Sequence, residues 1–297
     1  NSPRFRALHN RQYAMKIIAN ASYGYYGYPG SRWYSKVCAE SITAWGRMYI
    51  MLVIDKAKEM GYEIIYGDTD SLFLKMKNKA EAMRFLEKIN RILPGIVEMD
   101  FRGMYESGIF VKGKTGIAAK KRYALIDKKG EIIIRGFEKV RRDWSNIAKK
   151  TQEKVLLAVL KERSPAKAIR IVRRIINDIN AGRVKMDDLV IYTQLTKSIS
   201  EYEQIGPHVA AAKKAVERGK VIREGSTIAY IITKGLGSIS SRAEIAEDAR
   251  DYDPEYYIHH QVIPAALRIL SGLGYTERDI LSGKKTDQAS LSGFFGK

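Results

Sequence analysis

Two aspartates stand two positions apart in the stretch IIYGDTDSLF, residues 64 to 73, with apolar residues on both sides. In an extended hairpin, residues i and i+2 point to the same side, so we expect Asp68 and Asp70 to face one site. Paired carboxylates suit Mg²⁺, which takes oxygen ligands and shares its octahedron with substrate phosphates and water. Gly67 leaves room for a phosphate or a backbone to approach closely. The stretch therefore predicts a metal site for phosphate chemistry.

The residues alone leave several interpretations of this pair. A turn rich in aspartate and without chemistry is one, because aspartate favours turns. Haloacid-dehalogenase phosphotransferases need D-x-D-x-T, and Leu72 at the threonine position excludes them. Nucleotide-sugar glycosyltransferases hold a metal and a diphosphate with an aspartate pair after a strand, and they stay open at this point. Nucleotidyl transfer is the third enzyme class that uses such a pair of aspartates.

A polar stripe lies on the helix expected ahead of this pair. The pattern predicts a helix from about His9 to Gly24, in which Lys16, Asn20 and Tyr23 recur at spacings of four and three and share a face. Lys16 supplies a charge for a triphosphate, the Asn20 amide reaches a phosphate or a base edge, and Tyr23 offers a flat ring. A solvated stripe on an amphipathic helix is the alternative.

The elements that follow are expected from periodicity and turn residues. A second amphipathic helix should cover residues 40–61 and lead into the hairpin of the two aspartates. Next we expect a helix over residues 80–93 and short strands over 97–101, 121–127 and 131–137, so the middle of the chain is α+β.

Helices dominate after about residue 140. Ser164 as N-cap, Pro165 at the first helical position and Gly182 beyond the end predict one helix, which carries Arg170, Arg173 and Arg174. We also expect a helix over residues 207–219, a strand over 225–235, a last helix from Asp253 and Pro254, and a mobile stretch over 284–297.

The composition of the chain indicates what kind of partner it binds and in which compartment. The 297 residues suffice for two or three units, and the net charge of +19 indicates a polyanion, nucleic acid before membrane. The single cysteine, Cys38, excludes a disulfide framework and a thiolate zinc cluster and suits a reducing compartment. Without a signal-peptide pattern or a run of eighteen apolar residues, we expect no membrane partner and a cytoplasmic, nucleoid-associated location. The missing initial methionine indicates that upstream sequence was removed or lies on another chain.

Several motifs together resemble family B DNA polymerases, most nearly the archaeal members. YGDTDS, residues 66–71, resembles their catalytic motif C. KIIANASYG, residues 16–24, is similar to their fingers motif K-x-x-x-N-S-x-Y-G, except that Ala21 replaces the serine. KKRY at 120–123 resembles the motif that holds the primer-template duplex, and RGFEKVRRDW at 135–144 resembles the start of the thumb. The motifs stand in the order of that family and span essentially the whole chain.

The resemblance implies an α+β fold and a role for each motif. The fold is a partial polymerase palm, an antiparallel sheet with helices, plus one fingers helix and a mostly helical thumb. The expected boundaries are fingers to residue 28, palm 29–118, thumb 119–275 with the KKRY strand, and a flexible tail 276–297. The implied site residues are Asp68 and Asp70 as catalytic metal ligands, Lys16, Asn20 and Tyr23 for the dNTP, and Lys120, Lys121, Arg122 and Tyr123 for DNA.

Two pairs of candidate residues are each expected to share one face of a strand. Lys121 and Tyr123 alternate with Arg122 on a strand and so share a side suited to duplex phosphates, although a basic edge strand that resists aggregation has the same pattern. Glu98 and Asp100 also share a strand face in VEMDF, and similar acidic pairs in the family make them candidates for a secondary metal.

The catalytic set is incomplete in this sequence. Two-metal nucleotidyl transfer normally uses a third aspartate, which the family supplies from motif A, D-x-x-S-L-Y-P, ahead of the fingers helix. The near-match from Asp287 to Leu291 lacks the tyrosine, the proline and a strand. The same region is similar instead to the box by which replication proteins bind the sliding clamp, through Gln288, Leu291, Phe294 and Phe295. A tail that docks on its own domain is the alternative.

The sequence thus predicts the C-terminal part of a split or cut DNA polymerase. It would add dNTPs to a primer with two Mg²⁺ ions shared with the motif A aspartate of an N-terminal polypeptide, which would also carry the exonuclease. A catalytically idle module that binds DNA and the clamp is the second hypothesis. The glycosyltransferase interpretation ranks third because it explains neither the basic thumb nor the tail.

Overall fold

The computed structural model describes residues 2–95, 97–112 and 118–283. The chain divides into two compact units, residues 1–103 and 104–297. The first unit contains α1 (Pro3–Gly27), α2 (Lys36–Glu59), β1 (Ile64–Gly67), β2 (Leu72–Leu74) and α3 (Lys79–Ile92). These bounds confirm the three helices and the hairpin predicted for residues 9–93, with α1 longer at both ends.

The ends of α1 and the start of α2 follow from local chemistry. The Ser2 side chain accepts the Phe5 N–H at 3.2 Å, and Pro3 takes the first helical position, where no intrahelical N–H is needed. The helix ends at Tyr28, whose extended backbone is the conformation favoured before proline, here Pro29. α2 begins after its N-cap residue, Ser35, whose side chain accepts the N–H of Cys38.

The first unit has a small core and one long helix outside it. Buried side chains of α2 and α3 meet in this core: Val53, Ala57, Phe85, Ile89 and Leu93. By contrast, none of the 25 residues of α1 is buried. Hydrogen bonds and close contacts that join α1 to the rest of the described unit come from Tyr25, Tyr26 and Gly27. α1 is therefore held at its C-terminal end.

α2 has the length and composition of a membrane-crossing helix, which the sequence did not predict. An 18-residue window in it has a mean hydropathy of 1.3. Part of the helix packs in the core of the first unit through Val53 and Ala57.

The second unit contains two antiparallel three-stranded sheets among helices. The first sheet has the order β3 (Ser107–Lys112), β4 (Ala118–Ile126), β5 (Ile132–Arg135), and the second has the order β6 (Ile191–Gln194), β7 (Thr227–Ile232), β8 (Ala243–Ile245). The helices are α4 (Asn146–Leu160), α5 (Pro165–Asn180), α6 (Pro207–Glu217), α7 (Pro254–Tyr257), α8 (Ile263–Leu270) and α9 (Glu277–Ser282). A π-helical stretch, Ile258–Val262, joins α7 to α8.

A buried polar network fixes the chain between β5 and α4. The Gln152 side chain of α4 accepts the Lys139 N–H at 2.9 Å and donates to Glu138 at 2.7 Å and to the Ala265 carbonyl at 2.9 Å. Gln261 of the π-helical stretch accepts from the backbone N–H and the hydroxyl of Ser145 at 3.0 and 2.9 Å. Buried polar groups left without partners cost about 1–3 kcal/mol each, so these bonds hold residues 138–145 in one path.

Several predictions about the elements were wrong. VEMDF, residues 97–101, forms no strand; the Asn90 amide of α3 bonds both the N–H and the carbonyl of Met99 instead, at 2.8 and 3.0 Å. The strands β3, β6 and β8 were not predicted. α9 follows the helix that was expected to be the last, and its buried Ile280 differs from the flexible tail expected from residue 276.

An ion-pair network joins α6 to β8 and the loop after it. Glu244 accepts from Lys214 at 2.7 Å and from Arg218 at 2.8 Å, and Arg218 also reaches Asp248 at 3.1 Å. Burial alone would raise the pKa of Glu244, but the hydrogen bonds from the two cations outweigh it and hold this pKa below the ordinary value.

We expect Glu244→Gln to make the second unit less stable at neutral pH and less sensitive to acid. A carboxyl with a lowered folded-state pKa stabilises the fold above its unfolded-state pKa and loses that contribution as the pH falls through the folded value. The test is the urea midpoint of unfolding, followed by circular dichroism from pH 7 to pH 3. Glu247→Gln, at an exposed carboxylate bonded to Lys220, is the matched control. Parallel pH profiles for Glu244→Gln and wild type would contradict the prediction.

Candidate functional site

The aspartate pair lies in the turn between β1 and β2. Gly67 pairs with Leu72, which leaves residues 68–71 as the connection, and the Asp68 N–H closes it by donating to the Ser71 carbonyl at 2.9 Å. The structure thus confirms the hairpin that carries Asp68 and Asp70. Because both residues belong to the turn and not to a strand, strand alternation does not determine where their side chains point.

Neither carboxylate of this turn has a basic partner among the described residues. One oxygen of Asp68 accepts the Thr69 N–H at 2.8 Å and the Thr69 hydroxyl at 3.2 Å. Asp68 is half-buried and Asp70 is exposed, and neither forms a salt bridge with a described residue. Oxygen donors of this kind fit Mg²⁺.

The metal-ligand set is not complete among the described residues, because they contain no cluster of three or more His, Cys, Asp or Glu side chains that could hold a metal. Glu98 and Asp100 therefore do not gather with Asp68 and Asp70 into such a cluster. They are exposed on either side of the half-buried Met99, in a segment without strand pairing. The turn itself offers two carboxylates, those of Asp68 and Asp70.

The hairpin under the turn rests on the core of the first unit. Tyr66 is buried, and its ring lies 6.0 Å from that of Phe73. A methyl group on Gly67 would meet Ile54 and Leu72 at an ordinary 3.7 Å, so the packing of this chain does not require glycine there. The same holds for Gly24 in α1, where a methyl group would meet nothing within 4 Å.

The polar stripe lies on α1 as predicted, with Lys16, Asn20 and Tyr23 all exposed on one face. Tyr23 has 44% of its surface exposed although its ring is large and apolar. Elsewhere on the same helix, Leu8, Met15 and Ile18 are also between 58% and 64% exposed. The stripe and the apolar side chains of α1 are thus both available to a ligand or to another polypeptide.

α2 links the stripe to the aspartate turn. A methyl group on Gly27, at the end of α1, would lie 3.7 Å from Ala39, while Ile54 lies the same distance from the corresponding position of Gly67. These two contacts are fifteen residues, or about 22 Å, apart along the helix. The polar stripe of α1 and the aspartate turn therefore belong to one unit, but the elements that carry them contact α2 near its opposite ends.

The basic motif KKRY lies on β4, with a local distortion that the sequence did not predict. Lys121 has a φ of 59°, in the left-handed region, where a residue with a side chain is strained. Simple alternation across Lys121, Arg122 and Tyr123 therefore does not describe this strand. Tyr123 pairs with Phe110 and with Arg135, and its ring lies 5.6 Å from the Phe110 ring. The side chain of Lys120 is outside the described part of the chain.

Gly136 makes this distortion possible. Its φ is 67°, and a methyl group there would collide with the carbonyl oxygen of Lys121. Arg122 donates from Nε to the Gly136 carbonyl at 3.1 Å. Gly136 is a residue that sequence reasoning missed. A glycine near the end of the strand predicted over residues 131–137 was the available signal, but the close approach of a segment fifteen residues away was not visible.

The segment after Gly136 presents further charge. Arg141 donates to Asp143 from Nε at 3.0 Å and from Nη2 at 2.5 Å, and these hydrogen bonds hold the pKa of Asp143 below its ordinary value. Burial lowers the pKa of nearby Lys149. The predicted clamp box, Gln288, Leu291, Phe294 and Phe295, lies outside the described residues.

A protein-family model and several known proteins match this chain. The family model of DNA polymerase family B matches residues 2–273. The DNA polymerase of Pyrococcus glycovorans is 46% identical over 97% of this chain, and that of Thermococcus sp. (strain 9oN-7) is 45% identical over 97%. The chain spans 38% of the length of each of these relatives.

Among solved structures, the family B DNA polymerase from the hyperthermophilic archaeon Pyrobaculum calidifontis is similar, with a TM-score of 0.66 and 40% identity. The match covers 93% of this chain and 35% of that polymerase. The α+β class and the resemblance to archaeal family B polymerases are thereby confirmed. With the family model matching residues 2–273, this chain belongs to DNA polymerase family B.

Proposed function

We propose that this chain is the C-terminal part of a DNA-directed DNA polymerase, with the fingers helix, the motif C part of the palm and the thumb, and that it adds dNTPs to a primer 3′ end. One observation carries the proposal: the turn of Asp68 and Asp70 is accessible and unpaired with any described cation, in a chain that belongs to a polymerase family. The proposed domains keep the boundaries at residues 28, 118 and 275.

Asp68 and Asp70 would hold Mg²⁺ together with an aspartate of motif A on an N-terminal polypeptide. When bound, two such ions activate the primer hydroxyl and stabilise the charge of the triphosphate. Thr69 orients one carboxylate by occupying a single oxygen of Asp68, which leaves the other oxygen available. Glu98 and Asp100 stay predictions for a secondary metal.

The stripe on α1 would receive the incoming nucleotide. The Lys16 ammonium would neutralise triphosphate charge, the Asn20 amide would bond a phosphate or a base edge, and the Tyr23 ring would lie along the nascent base pair. Their exposure on one helix face supports this assignment. The KKRY residues of β4 would hold the phosphates of the primer-template duplex without reading its sequence.

An N-terminal polypeptide with motif A and the exonuclease is the proposed partner. The relatives are longer, and α1 exposes large apolar side chains that have no core in the first unit. The C-terminal box of Gln288, Leu291, Phe294 and Phe295 is proposed to bind a sliding clamp. The location would be cytoplasmic and associated with the nucleoid.

We expect Asp70→Asn to lower primer extension by about a thousandfold, on the order of 4 kcal/mol, because it removes a metal-binding charge. The measurement is extension of a labelled primer with Mg²⁺ and four dNTPs by the chain mixed with a polypeptide that carries motif A. Asp55→Asn, at an exposed carboxylate of α2, is the control and should leave extension unchanged.

The same assay separates the proposal from its alternative. If Asp70→Asn extended primers normally, the catalytic assignment would be wrong. If no partner supported synthesis while DNA and clamp binding survived every aspartate substitution, the chain would be the catalytically idle binding module. Extension by the wild-type chain alone would exclude the need for a partner aspartate.

We expect Gly136→Ala to weaken primer-template binding as well as the fold. The added methyl group meets the Lys121 carbonyl and strains a residue of positive φ, at a cost of about 1–3 kcal/mol, and it displaces the KKRY strand. Gly219→Ala has similar backbone strain but no neighbour within 4 Å and is the control. The readouts are thermal unfolding and the Kd for primer-template DNA; equal Kd values for the two variants would show that the strand distortion has no part in binding.

A further inference from the structure

A small cavity in the second unit has no part in the proposed catalysis or in duplex binding. It has a volume of about 290 Å³ and lies where α7 and the π-helical stretch Ile258–Val262 meet the chain ahead of β8. We call it the ring cavity, and its lining includes Arg242, Asp253, Glu255, Tyr256, His259 and His260. π-Helical turns are rare and are frequent at functional sites, so this cavity is a candidate binding site.

The wall of the ring cavity offers a flat aromatic surface. The half-buried Tyr256 and the exposed His260 stack, with ring centroids 5.2 Å apart and ring planes 27° apart. Aromatic rings pack on one another at centroid separations of about 4.5–7 Å. A cavity of about 150 Å³ is enough for a benzene molecule. The 290 Å³ of the ring cavity therefore leave room for one further aromatic side chain.

Arg242 brings an unused hydrogen-bond donor to the same cavity. Its Nη1 is bonded to Asp253, whereas its Nε is buried and has no hydrogen-bond partner among the described residues. Buried polar groups are nearly always hydrogen-bonded, so an orphan of this kind needs an explanation. A backbone carbonyl of a polypeptide bound in the cavity would be a suitable acceptor.

Carboxylates beside the cavity select the charge of a ligand. Glu255 lies 3.4 Å from Nε2 of His259, and Glu277 of α9 lies 2.9 Å from Nδ1 of the same ring. Neither glutamate has a lysine or arginine partner among the described residues. Like charges disfavour phosphate groups there, although the chain as a whole carries a net charge of +19. A polypeptide with lysines and an aromatic side chain is the chemistry that fits.

The C-terminal segment of this chain has that chemistry. Residues 284–297, which we call the tail, lie outside the described residues. They carry three lysines against one aspartate, together with Leu291 and the neighbouring Phe294 and Phe295. Burying large apolar side chains is favourable, so these residues gain from a cavity when no partner covers them.

The tail also starts close enough to reach the ring cavity. His259 of the cavity wall bonds Glu277, the first residue of α9, and this helix of six residues is about 9 Å long. Phe294 stands eleven residues after Gly283, which is up to about 36 Å of extended chain. A tether of this length gives an effective concentration on the order of millimolar, so a weak contact is enough to be populated.

We propose that the tail folds back onto the ring cavity when no clamp is bound, as an autoinhibitory contact that the clamp has to displace. A phenylalanine of the tail packs against the rings of Tyr256 and His260, and the lysines of the tail face Glu255 and Glu277. This contact rests on the proposed clamp box, since the same phenylalanines serve both partners. It does not depend on catalysis.

The first test is amide hydrogen exchange of residues 254–262 in the full chain without clamp, read by mass spectrometry. We expect the variant Phe294→Ser, Phe295→Ser to exchange at least about threefold faster there than wild type, because the docked tail shields these amides. The control variant is Val221→Ser, Leu236→Ser, which changes two apolar side chains that are 83% and 99% exposed in the same unit. The protection should be unchanged on tenfold dilution, as an intrachain contact requires.

The second test is the Kd of the full chain for a purified archaeal sliding clamp, by fluorescence anisotropy. We expect Tyr256→Ala to bind the clamp about threefold more tightly than wild type, as when the tail is docked in two thirds of the wild-type molecules. Glu255→Gln, at an exposed carboxylate, should change the Kd in the same direction. Tyr192→Ala and Glu247→Gln, at exposed positions elsewhere in the unit, are the matched controls. A gain of affinity is a readout that a damaged fold does not produce.

Three results would overturn the proposal. Equal exchange at residues 254–262 in wild type and in the phenylalanine variant would show that the tail does not dock there. Protection that disappears on dilution would assign the contact to a second copy of the chain. An unchanged clamp Kd in both Tyr256→Ala and Glu255→Gln would show that the contact does not compete with the clamp. If the clamp did not bind at all, the proposed clamp box would fail, and hydrogen exchange would still decide whether the tail docks.

Discussion

The second unit depends on one buried side-chain amide, that of Gln152 in α4. Its nitrogen and oxygen together bond Glu138, the Lys139 N–H and the Ala265 carbonyl, so a single group joins the chain after β5 to α4 and α8. A buried carboxyl group needs such hydrogen-bonding partners, and Arg268 supplies a second one for Glu138 at 3.3 Å. The path of residues 138–145, with the Arg141–Asp143 pair, follows from these bonds.

The two units use burial in different ways. In the second unit, helices and both sheets enclose one continuous apolar cluster, from Phe137 of the first sheet region to Ile280 of α9. The first unit closes a small core under the hairpin and leaves α1 outside it. The surfaces proposed to meet nucleotide and polypeptide partners therefore belong to the part of the chain with little packing of its own, where a partner can supply what the chain lacks.

Local signals in the sequence predicted what local chemistry determines. Ser164, Pro165 and Gly182 marked α5 because caps and positive-φ glycines act within a few residues. VEMDF had the alternation of a strand, but its hydrogen-bonding partner turned out to be the Asn90 amide, which no pattern announces. Likewise, the turn of Asp68 and Asp70 was predictable, whereas the left-handed Lys121 depends on Gly136 and appears only when the two segments meet.

Because α1 is attached by its C-terminal end, a small rotation there would move residues further the closer they lie to its N-terminal end. A helix of 25 residues is about 37 Å long, and its fulcrum lies near Gly27. A rotation of roughly 10° there would move Tyr23 by about 1 Å, Lys16 by about 3 Å and the N-terminal end by about 6 Å. The distance between the Tyr23 ring and the Lys16 ammonium would not change, but the ammonium would move about three times as far as the ring, so one small rotation would alter the charge that faces a nucleotide.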